Sequence, residues 1–214
     1  MSYPGLVLNK GISTLAEPVE TAVNAVEKVE EVDLAVTEAV AEQSGRPWVR
    51  VLGFLSEIGD QPPMRVLTIG TAVAGLAVRN PRLTRTGLRM LAAHSLATVA
   101  KTVIKRSVDR TRPDHALEKS YRMEPGGSRE HHLSSFPSGH TAGALAVTQA
   151  LARDYPQTTA PGLAFAAWVG AMQVPRCKHF VSDVAAGALI GWASEQASSR
   201  LLDWAEEKLA TSGS

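Results

Sequence analysis

Apolar residues along most of the chain follow the spacing of helices rather than that of strands. From Met64 onward they are mainly Ala, Val, Leu and Gly, and they do not alternate with polar residues as in a half-buried strand. Polar segments containing proline, at 79–82 and 153–161, interrupt the apolar runs and are typical of connecting loops. We therefore expect an all-α fold.

The N-terminal segment at 15–44 has a different pattern, rich in Glu and Val. Its valines recur at helical spacing: Val19, Val23, Val26 and Val29. This pattern predicts one acidic amphipathic helix, or two, ending before Gly45 and packing against the domain or an oligomer partner. We divide the chain into this segment at 1–45, a main domain at 46–202 and a C-terminal tail at 203–214.

A long polar stretch at 106–136 separates two apolar runs and is rich in charge, Gly and His. Loops of this length inside a compact helical domain usually carry function. We therefore expect part of the functional site there.

Composition narrows the possible functions. The formal charge of the 214-residue chain is +1, so no strong basic field points to nucleic acid. Cys177 is the single cysteine, which excludes an internal disulfide and a zinc site built on several cysteines.

Membrane spans are not obvious from composition. The most apolar segments are 64–78, 88–104, 140–152, 160–175 and 183–197. Each is short or carries a charge, whereas a spanning helix needs about 20 mostly apolar residues. Mean hydropathy is −0.03, and composition alone favours a soluble helical protein.

Two basic residues, Lys105 and Arg112, bracket the stretch KRSVDRTRP. Seven positions are two helical turns, so the two cations share one face if the helix persists to Pro113. Such a pair suits an anion with several oxygens, with arginine as a planar fork and lysine as a point charge. A solvated basic face is the alternative.

The stretch FPSGHTAG predicts a helix start with Ser138 as its N-cap. Backbone N–H groups at a helix start favour an anion, and Gly139 allows close approach. His140, in the first turn, would face that anion and could give it a proton. A serine nucleophile normally sits in a strand-to-helix elbow, and no strand precedes Ser138, so we do not expect it to attack.

A third cluster contains His179 and Asp183, four positions apart. We expect both at the start of a helix and on one face. A carboxylate that accepts one imidazole N–H leaves the other nitrogen free to attack. Together, the three clusters predict a phosphoryl-transfer site that needs no metal.

These clusters resemble the motifs of the type 2 phosphatidic acid phosphatase superfamily, which also contains bacterial acid phosphatases and vanadium haloperoxidases. The family pattern is Lys-x6-Arg-Pro, then Pro-Ser-Gly-His, then Ser-Arg-x5-His-x3-Asp. The first two match at Lys105…Arg112-Pro113 and at 137–140, and the third matches in His179 and Asp183. The resemblance covers roughly 50–200 and implies a helical bundle.

The resemblance implies a role for each matching residue, with no cofactor and no metal. His179 would attack phosphorus and form a phosphohistidine, oriented by Asp183, and His140 would protonate the leaving oxygen. The phosphate oxygens would be held by Lys105, Arg112, Ser138 and the Gly139 amide.

The chain departs from the family pattern at one position. The arginine six residues before the nucleophilic histidine is here Gln173, which brings no charge. Charge-assisted hydrogen bonds are about twice as strong as neutral ones, so this change should weaken stabilisation of the transition state and lower activity. Arg176 is near enough in sequence to substitute for it.

The resemblance also favours a membrane protein, because many family members are multi-span lipid phosphatases. A cytoplasmic loop carrying Arg79, Arg82 and Arg85 would place all three motifs on the outer face of a bacterial inner membrane. The expected substrates are lipid phosphate monoesters or diphosphates, of the phosphatidic acid or prenyl diphosphate type.

Three alternatives remain at this point. A lipid-phosphate-binding membrane protein could have lost turnover through Gln173. A vanadate-dependent haloperoxidase would use the same cradle, although the chain is short for one. A metal site could be built from His131, His132 and Asp183, without supporting spacing.

Overall fold

Residues 10–212 are described in the computed structural model of the chain, without the side chains of 10–19, 22 and 212. Residues 1–9 and 213–214, which belong to the predicted N-terminal segment and tail, lie outside the described residues. The described part is dominated by helices, which confirms the predicted all-α fold. Its helices are α1 Lys10–Ala41, α2 Pro47–Ser56, α3 Gln61–Ala77, α4 Pro81–Lys105, α5 Pro113–Glu118, α6 Gly139–Asp154, α7 Thr159–Met172 and α8 Val181–Ser212.

The predicted N-terminal helix is confirmed as the single helix α1, but its packing differs from the expectation. Val23, Val26 and Val29 are each about half exposed (50%, 50% and 49%). The inward-facing residues are Asp33 and Thr37, which are both 2% exposed. A polar contact therefore attaches α1 to the rest of the chain, in place of the predicted valine stripe.

Small residues allow the central helices α4 and α6 to pack closely. The core between them is made of alanines, two methionines and one valine: Met64, Met90, Ala93, Ala97, Ala142, Ala146, Val147 and Ala150. Packing of this density holds the end of α4 at a fixed distance from the start of α6.

Two glycines of α8 bring that helix against the backbone of α6. A Cβ at Gly187 would lie 2.4 Å from the carbonyl oxygen of Ser138, and one at Gly191 would lie 2.5 Å from that of Ala142. The backbone N–H of Ser138 also donates to the carbonyl of Asp183 at 3.0 Å. These contacts place the beginnings of α6 and α8 side by side.

The polar stretch at 106–136 folds over the end of α4 with little regular structure. Strand β1 (Val108–Arg110) pairs in antiparallel register with β2 (Met123–Pro125), and Asp109 faces Glu124. A 3-10 turn at His131–Leu133 follows. The two-stranded ribbon was not predicted, because three-residue strands have no recognisable alternation.

No helix among residues 10–212 is both long enough and apolar enough to qualify as a membrane span. At the C-terminus, α8 crosses the predicted boundary between 202 and 203 without interruption. The division into domains stays a prediction.

Candidate active site

The three motifs meet at one end of the helical bundle. Lys105 ends α4 there, α6 begins there, and the turn from α7 to α8 carries His179. They surround a cavity of about 380 Å³. Its wall contains Glu57, Asp60, Lys101, Lys105, Arg112, His131, Gly139, His140, Gln173, Arg176, Lys178 and His179. Of the predicted site residues, only Ser138 and Asp183 do not line this cavity.

His179 lies in the turn just before α8, rather than in its first helical turn as predicted. The backbone N–H groups of Lys178 and His179 both donate to the carbonyl of Gln173, at 3.0 and 3.3 Å, and close this turn. His179 is 3% exposed. Burial lowers its pKa to about 4, despite the opposing effect of Asp183, so the imidazole is neutral at neutral pH.

The predicted pairing of His179 with Asp183 is present, but it is loose. His179 Nδ1 lies 3.7 Å from Asp183 Oδ2, which is longer than a hydrogen bond, and has no hydrogen-bond partner among the described residues. Catalytic hydrogen bonds often tighten only when substrate is bound. The arrangement leaves Nε2 as the ring nitrogen available to a substrate.

Asp183 is itself held by three donors. Its Oδ2 accepts hydrogen bonds from the Ser135 hydroxyl at 2.5 Å and from the Phe180 backbone N–H at 2.9 Å. Its Oδ1 accepts a hydrogen bond from Arg110 Nη1 at 2.6 Å. Because Asp183 is fully buried, these donors fix both the charge and the direction of the carboxylate.

Lys105 and Arg112 come together at the cavity, although not in the way the sequence predicted. The helix ends at Lys105 and Arg112 precedes α5, so no common helical face joins them. Both reach the carbonyl of Ser134, as Lys105 Nζ donates to it and Arg112 Nη2 lies 3.5 Å from it. The loop carbonyl, rather than helical periodicity, brings the two cations together.

The Lys105 ammonium is poised to respond to an anion. Burial and the nearby positive charge of Arg112 lower its pKa to about 7. A bound phosphate would favour the charged form, so binding of an anion and protonation of Lys105 reinforce each other.

The start of α6 has the predicted N-cap. The backbone N–H of Thr141 donates to Ser138 Oγ at 3.5 Å, and the Thr141 hydroxyl donates to the same atom at 3.0 Å. Ser138 is fully buried, and its hydroxyl faces the first turn of α6. At Gly139 an added Cβ would lie 2.7 Å from Lys101 Nζ, so this glycine lets a cation approach the helix start.

His140 faces two carboxylates across the cavity. Its Nε2 lies 3.3 Å from Glu57 Oε2 and 3.9 Å from Asp60 Oδ1. These contacts hold the ring in one orientation on the cavity wall.

The metal site suggested by the sequence, from His131, His132 and Asp183, is not formed among the described residues. His132 instead stacks on His115, with ring centroids 4.4 Å apart. The described part of the chain does place ligand atoms of Glu57, Asp60 and His140 within 4.8 Å of one another. Glu57 is already paired there with Arg176.

The two candidates for the missing motif arginine occupy different places. Gln173 is 1% exposed, and its amide donates to the Val169 carbonyl at 3.0 Å, within its own helical turn. Arg176 pairs with Glu57 and donates to the Ser56 hydroxyl at 3.1 Å. Both side chains line the cavity, and of the two only Arg176 brings a charged group to its wall.

Room for Arg176 is provided by a glycine of α2. An added Cβ at Gly53 would lie 2.8 Å from Arg176 Cδ and 3.0 Å from its Nε. The aliphatic part of the arginine thus lies directly against the α2 backbone, which limits where its head group can point.

Several wall residues were missed by the sequence analysis. Lys101 precedes Lys105 by one helical turn, so the spacing on α4 could have identified it. Glu57 and Asp60 lie before the catalytic motifs, and Lys178 adjoins His179. No local pattern distinguishes these three from ordinary surface charges.

A larger cavity, of about 570 Å³, lies at the opposite end of α4 and is mainly apolar. Its wall includes Leu76, Leu88 and Leu202 beside Arg79 and Arg85. None of the three motifs reaches it. We therefore place the candidate active site in the smaller, charged cavity.

Comparison with known proteins shows which family this chain resembles. Residues 86–206 match the family described as the PAP2 superfamily. A lipid A 1-phosphatase of Rhizobium etli is 36% identical over 93 residues, which are 43% of this chain and 40% of that protein. A lipid A 1-phosphatase of Rhizobium johnstonii is 34% identical over 89 residues, 42% of this chain and 36% of that protein. The matched regions thus span less than half the length of these curated relatives.

Two solved structures share the fold. The transmembrane PAP2-type phosphatidylglycerolphosphate phosphatase of Bacillus subtilis superimposes with a TM-score of 0.65 and 22% identity, covering 92% of this chain and 97% of that one. The LpxE protein of Aquifex aeolicus superimposes with a TM-score of 0.59 and 22% identity, covering 78% of this chain and 94% of that one. At this identity the likeness concerns the fold.

Proposed function

Because this chain belongs to the PAP2 superfamily, we propose that it is a phosphatase that hydrolyses lipid phosphate monoesters or diphosphates through a phosphohistidine. The observation that carries the proposal is a neutral, buried His179 with a fixed carboxylate behind it and a cationic cavity in front. The charged side chains take the part that metal ions play in other phosphoryl-transfer enzymes.

The substrate class follows from the chemistry of the cavity and from the relatives. Lys101, Lys105, Arg112, Arg176 and Lys178 supply positive charge for a phosphate group. The relatives are named for lipid A 1-phosphate and phosphatidylglycerolphosphate. We propose lipids of this kind, together with phosphatidic acid and prenyl diphosphates, as substrates.

In the first step, His179 Nε2 attacks phosphorus while the bond from phosphorus to the leaving oxygen breaks. His140 gives its proton to that oxygen, so the lipid leaves as an alcohol or as a shorter phosphate. The negative charge that develops on the phosphoryl oxygens is stabilised by Lys105, Arg112 and the α6 N-terminus. Ser138 contributes by capping that helix.

In the second step, a water molecule attacks the phosphohistidine and the bond between phosphorus and nitrogen breaks. The now neutral His140 accepts a proton from the water, inorganic phosphate leaves, and both histidines return to their starting states. Glu57 Oε2, 3.3 Å from His140 Nε2, keeps the ring oriented between turnovers.

We assign Arg176 the role of the arginine that Gln173 replaces. Its head group is on the cavity wall and is anchored by Glu57 and Ser56 from another part of the chain. Gln173, bonded to its own helix, supports the turn that carries His179.

We also propose that the protein acts at a membrane of the bacterial inner membrane type. Large apolar side chains are exposed on α2 and α3: Phe54 (77%), Val66 (74%) and Leu76 (65%). Patches of this kind mark protein or membrane contacts. Arg79, Arg82 and Arg85 lie at the end of α4 opposite the site, so a cytoplasmic position for them puts the site on the outer face.

The proposed function is tested by phosphate release from detergent-solubilised protein. We expect release from a short-chain phosphatidic acid, a prenyl diphosphate or lipid A with EDTA present, and inhibition by orthovanadate, which occupies a phosphate site. Activity lost in EDTA would contradict the metal-free mechanism.

A different outcome would favour the binding-protein alternative. No release from any of these lipids, combined with saturable binding of one of them, would indicate that Gln173 has abolished turnover. Gln173→Arg would then be expected to produce activity.

The pH dependence has an expected shape. Below about pH 4 His179 becomes protonated and cannot attack, and above about pH 7 Lys105 loses the charge that binds phosphate. We expect kcat/KM to be highest between these values. Lys105→Arg keeps its charge and should move the basic limb to higher pH, with the same substrate in both assays. A basic limb that does not move would show that Lys105 does not set it.

A further inference from the structure

Helix α1 lies outside the matched family region, yet one of its side chains is buried behind the site, against Arg110 and Ser182. Asp33 is 2% exposed. Its Oδ2 accepts a hydrogen bond from Arg110 Nη2 at 2.8 Å, and its Oδ1 accepts one from the Ser182 backbone N–H at 3.0 Å. The Ser182 hydroxyl also donates to it. A buried carboxylate that accepts hydrogen bonds from three donors is a structural contact rather than a surface charge.

Arg110 joins this carboxylate to the one behind the nucleophile. Its Nη1 donates to Asp183 Oδ1 at 2.6 Å, and its Nε donates to the Tyr121 hydroxyl at 3.1 Å. The guanidinium lies over the Phe180 ring, 4.4 Å from the centroid. Although burial opposes the charged form, Asp183 and Asp33 raise the pKa of Arg110, so it stays charged.

The position of Arg110 between two carboxylates explains why Asp33 matters to Asp183. Arg110, at 1% exposure, is shared between Asp33 and Asp183. Without Asp33, Nη2 would lose its partner, and the buried cation would be drawn towards Asp183 alone. The Asp183 carboxylate would then be less available to His179, and its direction would no longer be fixed from behind.

We propose that Asp33 is a positioning residue, which holds Arg110 in place so that Asp183 keeps His179 oriented for attack. By this contact the N-terminal helix becomes part of the catalytic unit. The inference rests on the proposed phosphatase function.

Asp33→Asn tests the inference, because it removes the charge with little change in shape. Partners behind a first layer of functional residues typically contribute about 10–100-fold. We expect kcat to fall about tenfold, with KM changed less than about twofold, since no group that touches phosphate is altered. Glu38→Gln, an exposed acidic residue of the same helix, is the matched control and should keep wild-type kcat. A wild-type kcat in folded Asp33→Asn would overturn the inference.

A second comparison separates positioning from general stability. If Asp33 acts through Arg110, Asp33→Asn should cost nothing further in an Arg110→Gln background, and additive losses would contradict the inference. If either variant fails to fold, Ser182→Ala is the test of the inference, because it removes one hydroxyl and no charge. We expect a several-fold lower kcat at an unchanged Tm, and an unchanged kcat would overturn the inference.

The controls also distinguish the two proposals. An inactive wild-type protein would remove the proposed function and this inference with it. An active wild type with an unaffected Asp33→Asn would remove this inference alone.

Discussion

His179→Ala is expected to abolish phosphate release, with a fall in kcat on the order of 10⁴-fold or more, as for other enzymes that lose a nucleophile. The reason is that no other described side chain combines a neutral nucleophilic nitrogen with a position on the cavity wall and a carboxylate behind it. His140 lies on the same wall, but its Nε2 faces Glu57 and Asp60. The measurement is single-turnover phosphate release from a labelled lipid phosphate, with acid-labile label on the protein as the mark of phosphohistidine.

His132→Ala is the matched control for this prediction. His132 belongs to the neighbouring 3-10 turn and stacks on His115, but it is not on the wall of the cavity. We expect its kcat to stay within about twofold of the wild type. Label that persists on the His179→Ala protein would place the nucleophile elsewhere and contradict the mechanism.

Arg176→Gln is expected to lower kcat by about 10²-fold, since removing one preorganised donor to a developing oxyanion costs about 10²–10³-fold. The structure gives a physical reason for an effect of this size on kcat. The guanidinium is held by Glu57 and Ser56, so it needs little rearrangement to meet the transition state. Kinetics of the variant at saturating substrate measure the effect, and a parallel Tm establishes that the protein is folded.

Two further variants make this prediction specific. Arg50→Gln removes an exposed arginine of α2 that lines the adjoining surface groove with Arg176 but not the catalytic cavity, and it should leave kcat unchanged. Gln173→Ala should cost less than Arg176→Gln, because the Gln173 amide bonds to its own helix. A larger loss in Gln173→Ala would show that the position of the motif arginine still holds the phosphate and that Arg176 does not replace it.

Local sequence patterns predicted the helical nature of the chain and selected the residues that we propose to contact phosphate. The serine cap at Ser138 acts within one helical turn and is present in the structure, and the four-residue spacing brings His179 close to Asp183 although His179 precedes α8. The start of α6 is therefore where the sequence placed it, and Lys105 and Arg112, seven positions apart, both lie on the cavity wall. The reason given for that pair was wrong, because the helix stops at Lys105 and a loop carbonyl joins them.

Which distant residues complete the candidate site depends on how the whole chain folds. Glu57 is 119 positions from Arg176, and Asp33 is 149 positions from Ser182, so neither contact leaves a trace in local spacing. These contacts depend on how the helices pack against one another through alanine and glycine. Such packing sets the distances between helix ends, but it does not determine which polar residues lie there. Local sequence patterns report on contacts within about one helical turn. The opposite charges that pair at a buried site come from residues that are far apart in the sequence. For that reason His179 and Asp183 could be selected from the sequence, whereas Arg110 and Asp33, which hold Asp183, could not.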